Sequence, residues 1–331
     1  MNEKPAAAPP AVRTAIEVRA IAAEQAGQRI DNFLIRHFKN VPRSRVYRML
    51  RKGEVRVNRK RVDAEYRLAE GDEVRLPPVR LDVSAQPARP SGSLMELIER
   101  AVIHEDRHLL VLNKPAGVAV HGGSGLSFGV IEALRASRPR ENLELVHRLD
   151  RDTSGCLAVA RDRATLTALH ALIREGGMHK TYMTLVAGSW QLGSKRIDAP
   201  LDTATRRHGE RHVRVATAGK QSVSLFKPVQ FFGPLATLME VDIPTGRTHQ
   251  IRVHASFAGH PVLGDDKYGD RERNAELKAF GLKRIFLHAH SLAFDWPGSG
   301  VPFHASAPLP EDLAAVLDAL GTVRRRPPRR R

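Results

Sequence analysis

His147-Arg148-Leu149-Asp150-Arg151-Asp152-Thr153-Ser154-Gly155 runs straight into Cys156-Leu157-Ala158-Val159-Ala160. The first part sets one His, two Arg and two Asp within six residues and closes on Thr-Ser-Gly, a turn composition. From Leu157 the chain reads as a buried strand. Buried charges must be paired, so the charged part is not core filler. Held between Leu143/Leu145/Val146 and the strand, it is a loop on which a scaffold presents reactive groups. Its chemistry centres on one carboxylate, Asp150, set among cations. By composition alone Asp150 serves equally well as a turn cap or a partner for Arg151.

Outward from this loop, strand patterns outnumber helical ones and do not alternate with them regularly. Strands are expected over His108 to Pro115, Tyr182 to Ala187, Leu235 to Ile243 and Ile285 to Phe294. Helices are expected over Phe128 to Leu134, Ala164 to Ile173 and 311–320. The fold class that follows is α+β, with a mainly antiparallel mixed sheet. Ahead of it lies a small module. Ile30, Phe33, Leu34 and Phe38 form one helical stripe, and Val46, Met49 and Leu50 a second that ends at Gly53. Strand patterns follow at Glu54–Asn58, Arg61–Val62 and Glu73–Leu76, with Asn58-Arg59-Lys60 as a turn. The expected organisation is a disordered segment at 1–24, this module at 25–78, a proline-rich linker at 79–97, the large domain at 98–321 and a basic tail at 322–331.

The net charge of +17 is unevenly spread. Residues 28–62 hold twelve Lys/Arg against two Asp/Glu, and the stretch Arg324 to Arg331 holds six arginines, so the rest of the chain is nearly balanced. Cation concentrated on a small module is the footprint of a polyanion binder. Arg43, Arg45, Arg48, Lys52, Arg56, Arg59, Lys60 and Arg61 are the candidate phosphate contacts, which would read backbone and shape more than base sequence. A single cysteine, Cys156, excludes an internal disulfide and a cysteine-rich zinc site. There is no apolar run of membrane-spanning length and no secretory signal pattern, so a cytoplasmic protein is expected.

The run His147 to Gly155 resembles the signature loop of the RluA-class pseudouridine synthases. Three further stretches agree in order: Val111 to Gly123, Lys180-Thr181-Tyr182, and Gly246-Arg247-Thr248-His249-Gln250-Ile251-Arg252-Val253-His254. The module at 25–78 is similar to an S4 RNA-binding domain. Within the class, Gln28 to Leu34 and His121 to Gly129 are most similar to the RluC type, which acts on several uridines of large-subunit ribosomal RNA.

The resemblance implies isomerisation of uridine to pseudouridine in 23S ribosomal RNA or a large-subunit precursor. The base is cut from ribose, turned, and rejoined through carbon, with no redox change, so no cofactor is expected and no metal. Asp150 is then the catalytic aspartate, attacking sugar or ring or removing a sugar proton. Arg252 is its cationic partner, expected to hold it with two hydrogen bonds. Lying between Ile251 and Val253, it is read as facing away from both on a strand, a placement that also suits a surface ion pair. Tyr182 stacks on the uracil, unless it is an ordinary core tyrosine. Arg148 enters the space the base vacates. His147 is expected to support the loop. A monomer is expected. The competing reading is a noncatalytic S4-type RNA-binding or ribosome-assembly factor, which explains the charge but not the four ordered motifs.

Overall fold

The computed structural model describes residues 12–13, 15–38, 41, 43–81, 89–122, 128–202, 206–207 and 210–325. They fall into two compact units that divide between Arg89 and Pro90.

In the first unit β1 (Glu17–Ala20), α1 (Ile30–His37), α2 (Arg43–Lys52), β2 (Arg56–Val57) and β3 (Glu73–Leu76) surround one core. Ile30, Phe33 and Leu34 of α1 meet Val46, Met49 and Leu50 of α2 in it, as their stripes require. The sheet order is β1-β3-β2, antiparallel throughout. Residues 17–20, expected in a disordered segment, are thus ordered: they pair with β3 along their whole length, and Ile21 is buried. Residues 1–11 of that segment, and all of the tail from 326 onward, lie outside the described residues. The expected strand at Arg61–Val62 is absent, because the turn at Asn58 and Arg59, both with positive φ, closes on Lys60 alone.

The second unit is built on a ten-stranded sheet. α3 (Gly92–Arg100) begins inside the stretch expected to be linker, capped by Ser91. Then come β4 (Val102–Glu105), β5 (Leu109–Lys114), α4 (Val130–Ser137), β6 (Ser154–Ala160), α5 (Arg163–Glu175) and β7 (His179–Ala187). β8 (Lys195–Asp198), β9 (Val223–Phe231) and β10 (Ala236–Asp242) follow, then α6 (Gln250–Phe257), α7 (Arg271–Lys278), β11 (Leu287–Asp295), β12 (Pro302–Ser306) and α8 (Glu311–Arg325). The strand order is β8-β9-β10-β7-β11-β6-β5-β4. Every neighbouring pair along it is antiparallel except β11–β6. β6 is buried on both faces, with Leu157 and Val159 in one core cluster and Cys156, Ala158 and Ala160 in another. That double burial is why its sequence is continuously apolar rather than alternating.

The single parallel join positions everything else. It comprises His288↔Ser154 and Ala289↔Gly155. Gly155 has φ 111°, and a Cβ there would collide with the Ala289 carbonyl, so glycine is required. Ala289 also pairs with Tyr182 on its other side. Tyr182, Ala289 and Gly155 therefore form one row across the sheet, about 10 Å long at the usual strand spacing. The loop that precedes Gly155 is delivered next to the Tyr182 ring.

Candidate active site

Four fastenings hold the Asp150 loop. The Lys114 ammonium, wholly buried at the end of β5, donates to the carbonyls of Pro115, Val118 and Arg151 at 2.8, 2.8 and 2.9 Å. Three acceptors match the three N–H bonds of a protonated lysine. The Gly117 N–H donates to the same Arg151 carbonyl at 2.9 Å. His147 Nε2 accepts the Ala158 N–H at 3.1 Å, and burial drives the imidazole down to about 3, so it stays neutral. Leu149 is buried in the main core. Asp150 stands between these fastenings, 23% exposed, in the lining of an open pocket. The floor is apolar, from Leu149, Ile243, Ile251 and Leu287, and the rim carries Arg148, Arg247 and Thr248.

Arg252 reaches Asp150 from α6, not from a strand as the alternation of Ile251 and Val253 suggested. Its two-pronged grip is also not on Asp150. Nε and Nη2 donate to Asp265 Oδ2 and Oδ1 at 2.7 and 2.8 Å, and only Nη1 donates to Asp150 Oδ2, at 3.3 Å. Burial opposes the Asp265 carboxylate, but Arg252 and the N–H groups of Lys267 and Tyr268 outweigh it and hold it below the usual range. The guanidinium also lies 5.0 Å from the centre of the Tyr268 ring.

Sequence reading missed His249. It precedes α6 with φ 54°, a left-handed conformation rare outside glycine. There Nε2 lies 3.8 Å from Asp150 Oδ2 and Nδ1 lies 2.8 Å from the Tyr268 hydroxyl. That hydroxyl also accepts the Val213 N–H at 2.9 Å, which together with the His249 contact holds the imidazole beside Asp150. Burial lowers the imidazole to about 4, which keeps it neutral. Oδ2 is the nearest carboxylate oxygen to both neighbours, with Arg252 within hydrogen-bond reach and His249 just beyond it. Asp265 and Tyr268 had one signal in the sequence, the glycine-bounded charged stretch Gly264 to Gly269, whose composition parallels that of the Asp150 loop.

Tyr182 walls the same pocket, 7% exposed. Its hydroxyl has no partner among the described residues, and burial first, then the Asp150 charge, pushes its ionisation up. Arg148 is exposed on the rim, its guanidinium unpaired among the described residues. The structure thus brings together Asp150, Arg148, Tyr182 and Arg252.

The basic residues of the first unit fall on α2 and on the stretch 56–61 around the turn that follows it. Arg48 and Lys52 are exposed along α2, and Arg59 and Lys60 at the turn. Arg61 donates to the Lys52 carbonyl at 3.4 Å and Arg56 to the Arg59 carbonyl at 3.3 Å, joining helix and turn into one ridge. Arg45 is engaged with Glu54 at 3.0 Å, and the Arg43 side chain lies outside the described residues. Among the described residues no group of three metal-ligating side chains converges, and no helix is long and apolar enough to cross a membrane.

The sequence model of the family described as RNA pseudouridylate synthase matches residues 108–257, and that of the S4 domain residues 28–74. The chain is 52% identical to "Ribosomal large subunit pseudouridine synthase C" of Escherichia coli (strain K12), over 93% of this chain and 98% of that one. The protein of the same name from Salmonella typhi is 52% identical, over 92% and 97%, and that from Vibrio vulnificus (strain CMCP6) 50%, over 95% and 99%. Among solved structures, "Human RNA Pseudouridylate Synthase Domain Containing 4" is 26% identical with a TM-score of 0.57, covering 69% of this chain and 96% of that one. "Human RNA Pseudouridylate Synthase Domain Containing 1", at 24% identity and a TM-score of 0.53 over 71% and 98%, shares the fold.

Proposed function

The chain belongs to the RNA pseudouridylate synthase family and carries an S4 domain, and we propose that it converts several uridines of large-subunit ribosomal RNA to pseudouridine, with Asp150 as the catalytic carboxylate. It is an enzyme rather than the noncatalytic factor weighed from the sequence. One observation carries the assignment of the site. Asp150 stands in the pocket that Tyr182 walls, with Arg252 donating a single hydrogen bond to its Oδ2 at 3.3 Å.

In the reaction the bond from ribose C1′ to uracil N1 breaks and a bond from C1′ to C5 forms. The proton on C5 is lost and N1 ends with a proton. Electrons balance within one nucleotide, so these residues need only bind, orient and shuttle protons. The uridine leaves its stack at a cost of a few kcal/mol, and the Arg148 guanidinium takes the vacated place. Uracil lies against Tyr182, whose unpartnered hydroxyl is available for proton transfer at the base. The apolar floor excludes water while the base is detached. The α2 ridge supplies phosphate contacts that hold the RNA. The reading takes the protein to act as a monomer in the cytoplasm, where ribosomes assemble, and needs no cofactor.

The test is a map of pseudouridine in ribosomal RNA from cells lacking the gene. Loss at several large-subunit positions, restored by the wild-type gene, is the expected result. Loss confined to transfer RNA would overturn the substrate.

A further inference from the structure

Two lysines are buried among the described residues, and their surroundings are opposite. Lys114 has three carbonyl acceptors. Lys180, 6% exposed, has neither a hydrogen bond nor an ion pair among the described residues. Asp242, on the neighbouring strand, is already engaged by the Thr181 hydroxyl at 2.6 Å. Every wholly buried side-chain nitrogen or oxygen among the described residues has a hydrogen-bond partner, so the unpaired Lys180 ammonium reaches the surface, where an anion can meet it.

Lys180 stands next to the lining of the pocket without itself being part of it. The Lys180 ammonium is 3.5 Å from where a Cβ on Gly246 would stand, and Gly246 and Arg247 both line the rim. Arg247 is exposed, with Nε donating to the Gln221 carbonyl at 3.2 Å; burial first, and after it the Arg247 charge, lowers Lys180 to about 8. Gly246, with no side chain of its own, thus stands beside Lys180 and directly before Arg247. Lys180 also lies two residues before Tyr182 on β7, on the same face of the strand and about 7 Å along it. That spacing is comparable with the distance from a nucleobase to its own phosphate.

We propose that Lys180 and Arg247 form a phosphate subsite that takes the phosphodiester adjoining the target uridine. The assignment rests on the RNA reading given above. The phosphate supplies the acceptors that Lys180 lacks, and it fixes the sugar of the nucleotide whose base stands against Tyr182. A bound phosphodiester thus sets the register of the strand at the pocket, while the S4 ridge supplies general affinity.

The test compares wild type with Lys180→Met in binding to a transcript of large-subunit ribosomal RNA, between about 50 mM and about 200 mM salt. The expected result is affinity about tenfold weaker at low salt and a salt slope shallower by about one, with the melting temperature kept or raised. An unchanged slope in a folded variant overturns the subsite. Should the variant fail to fold, wild-type protein is titrated with RNA bearing one neutral methylphosphonate at each linkage flanking the target uridine in turn. A comparable loss at one linkage supports the subsite, and no loss at either overturns it. Wild-type protein that isomerises no uridine sinks the RNA reading itself, whereas active wild type with an unchanged slope sinks only the subsite.

Discussion

Arg252 forms a bidentate ion pair with the buried Asp265, at 2.7 and 2.8 Å, and offers Asp150 only its remaining nitrogen, at 3.3 Å. The strong pair fixes the guanidinium and the weak contact orients the carboxylate that must react. A carboxylate gripped twice would have fewer lone pairs to offer a substrate.

Asp265→Asn should therefore damage both stability and activity, although Asp265 has no place in the chemistry. It leaves a largely buried guanidinium with only the weaker Asp150 contact as counter-charge, at a cost of about 3 kcal/mol. Urea unfolding measures the loss, and single-turnover assays should show kcat falling more than RNA affinity. A variant within about 0.5 kcal/mol of wild type would contradict this account of Arg252.

Tyr182→Phe keeps the ring and removes the hydroxyl. If that hydroxyl moves protons at the base, the single-turnover rate should fall by about 10² to 10⁴ while RNA binding holds. Tyr182→Ala should weaken capture of the everted base as well, by about 1–3 kcal/mol. Full activity in the phenylalanine variant would confine Tyr182 to stacking.

Acid should unfold the protein through its buried imidazoles. Burial lowers His147 to about 3 and His288 to about 4, whereas in the unfolded chain each takes its proton near the ordinary 6.5. Between those values the unfolded chain binds more protons, so their contribution is intact above about 6.5 and is lost as pH falls toward 4. The loss is on the order of 2 kcal/mol per imidazole between about pH 6.5 and about pH 5. His288→Gln keeps a donor for the Ala307 carbonyl, which His288 Nε2 now serves at 3.1 Å, and should flatten the dependence. An equally steep variant would exclude His288 as a source.

What was legible in the sequence followed from burial pattern. β6 is buried on both faces and reads as an unbroken apolar run, and the Asp150 loop stands out because its charges have no place in a core. α6 was hidden because two members of its buried stripe are polar. Gln250 donates to the Val223 carbonyl at 2.7 Å, and His254 bonds Ser224 and the Ala199 carbonyl, both at 2.9 Å. Only Ile251, Val253 and Ala255 remained to be read, and their alternation imitates a strand. β1 was hidden for another reason: all four of its side chains are exposed, so the backbone ladder to β3 holds it and no hydrophobic pattern marks it. The charged stretch Gly264 to Gly269 is visible in the sequence, but its pairing with Arg252 depends on how the chain returns to α6, which local composition does not give.

The most direct measurement is pseudouridine formation by Asp150→Asn in large-subunit ribosomal RNA, made alongside its affinity for that RNA. The replacement keeps the shape of the side chain and removes its charge. The account predicts no detectable product with binding within a few fold of wild type. Product formed at a rate near wild type would contradict it.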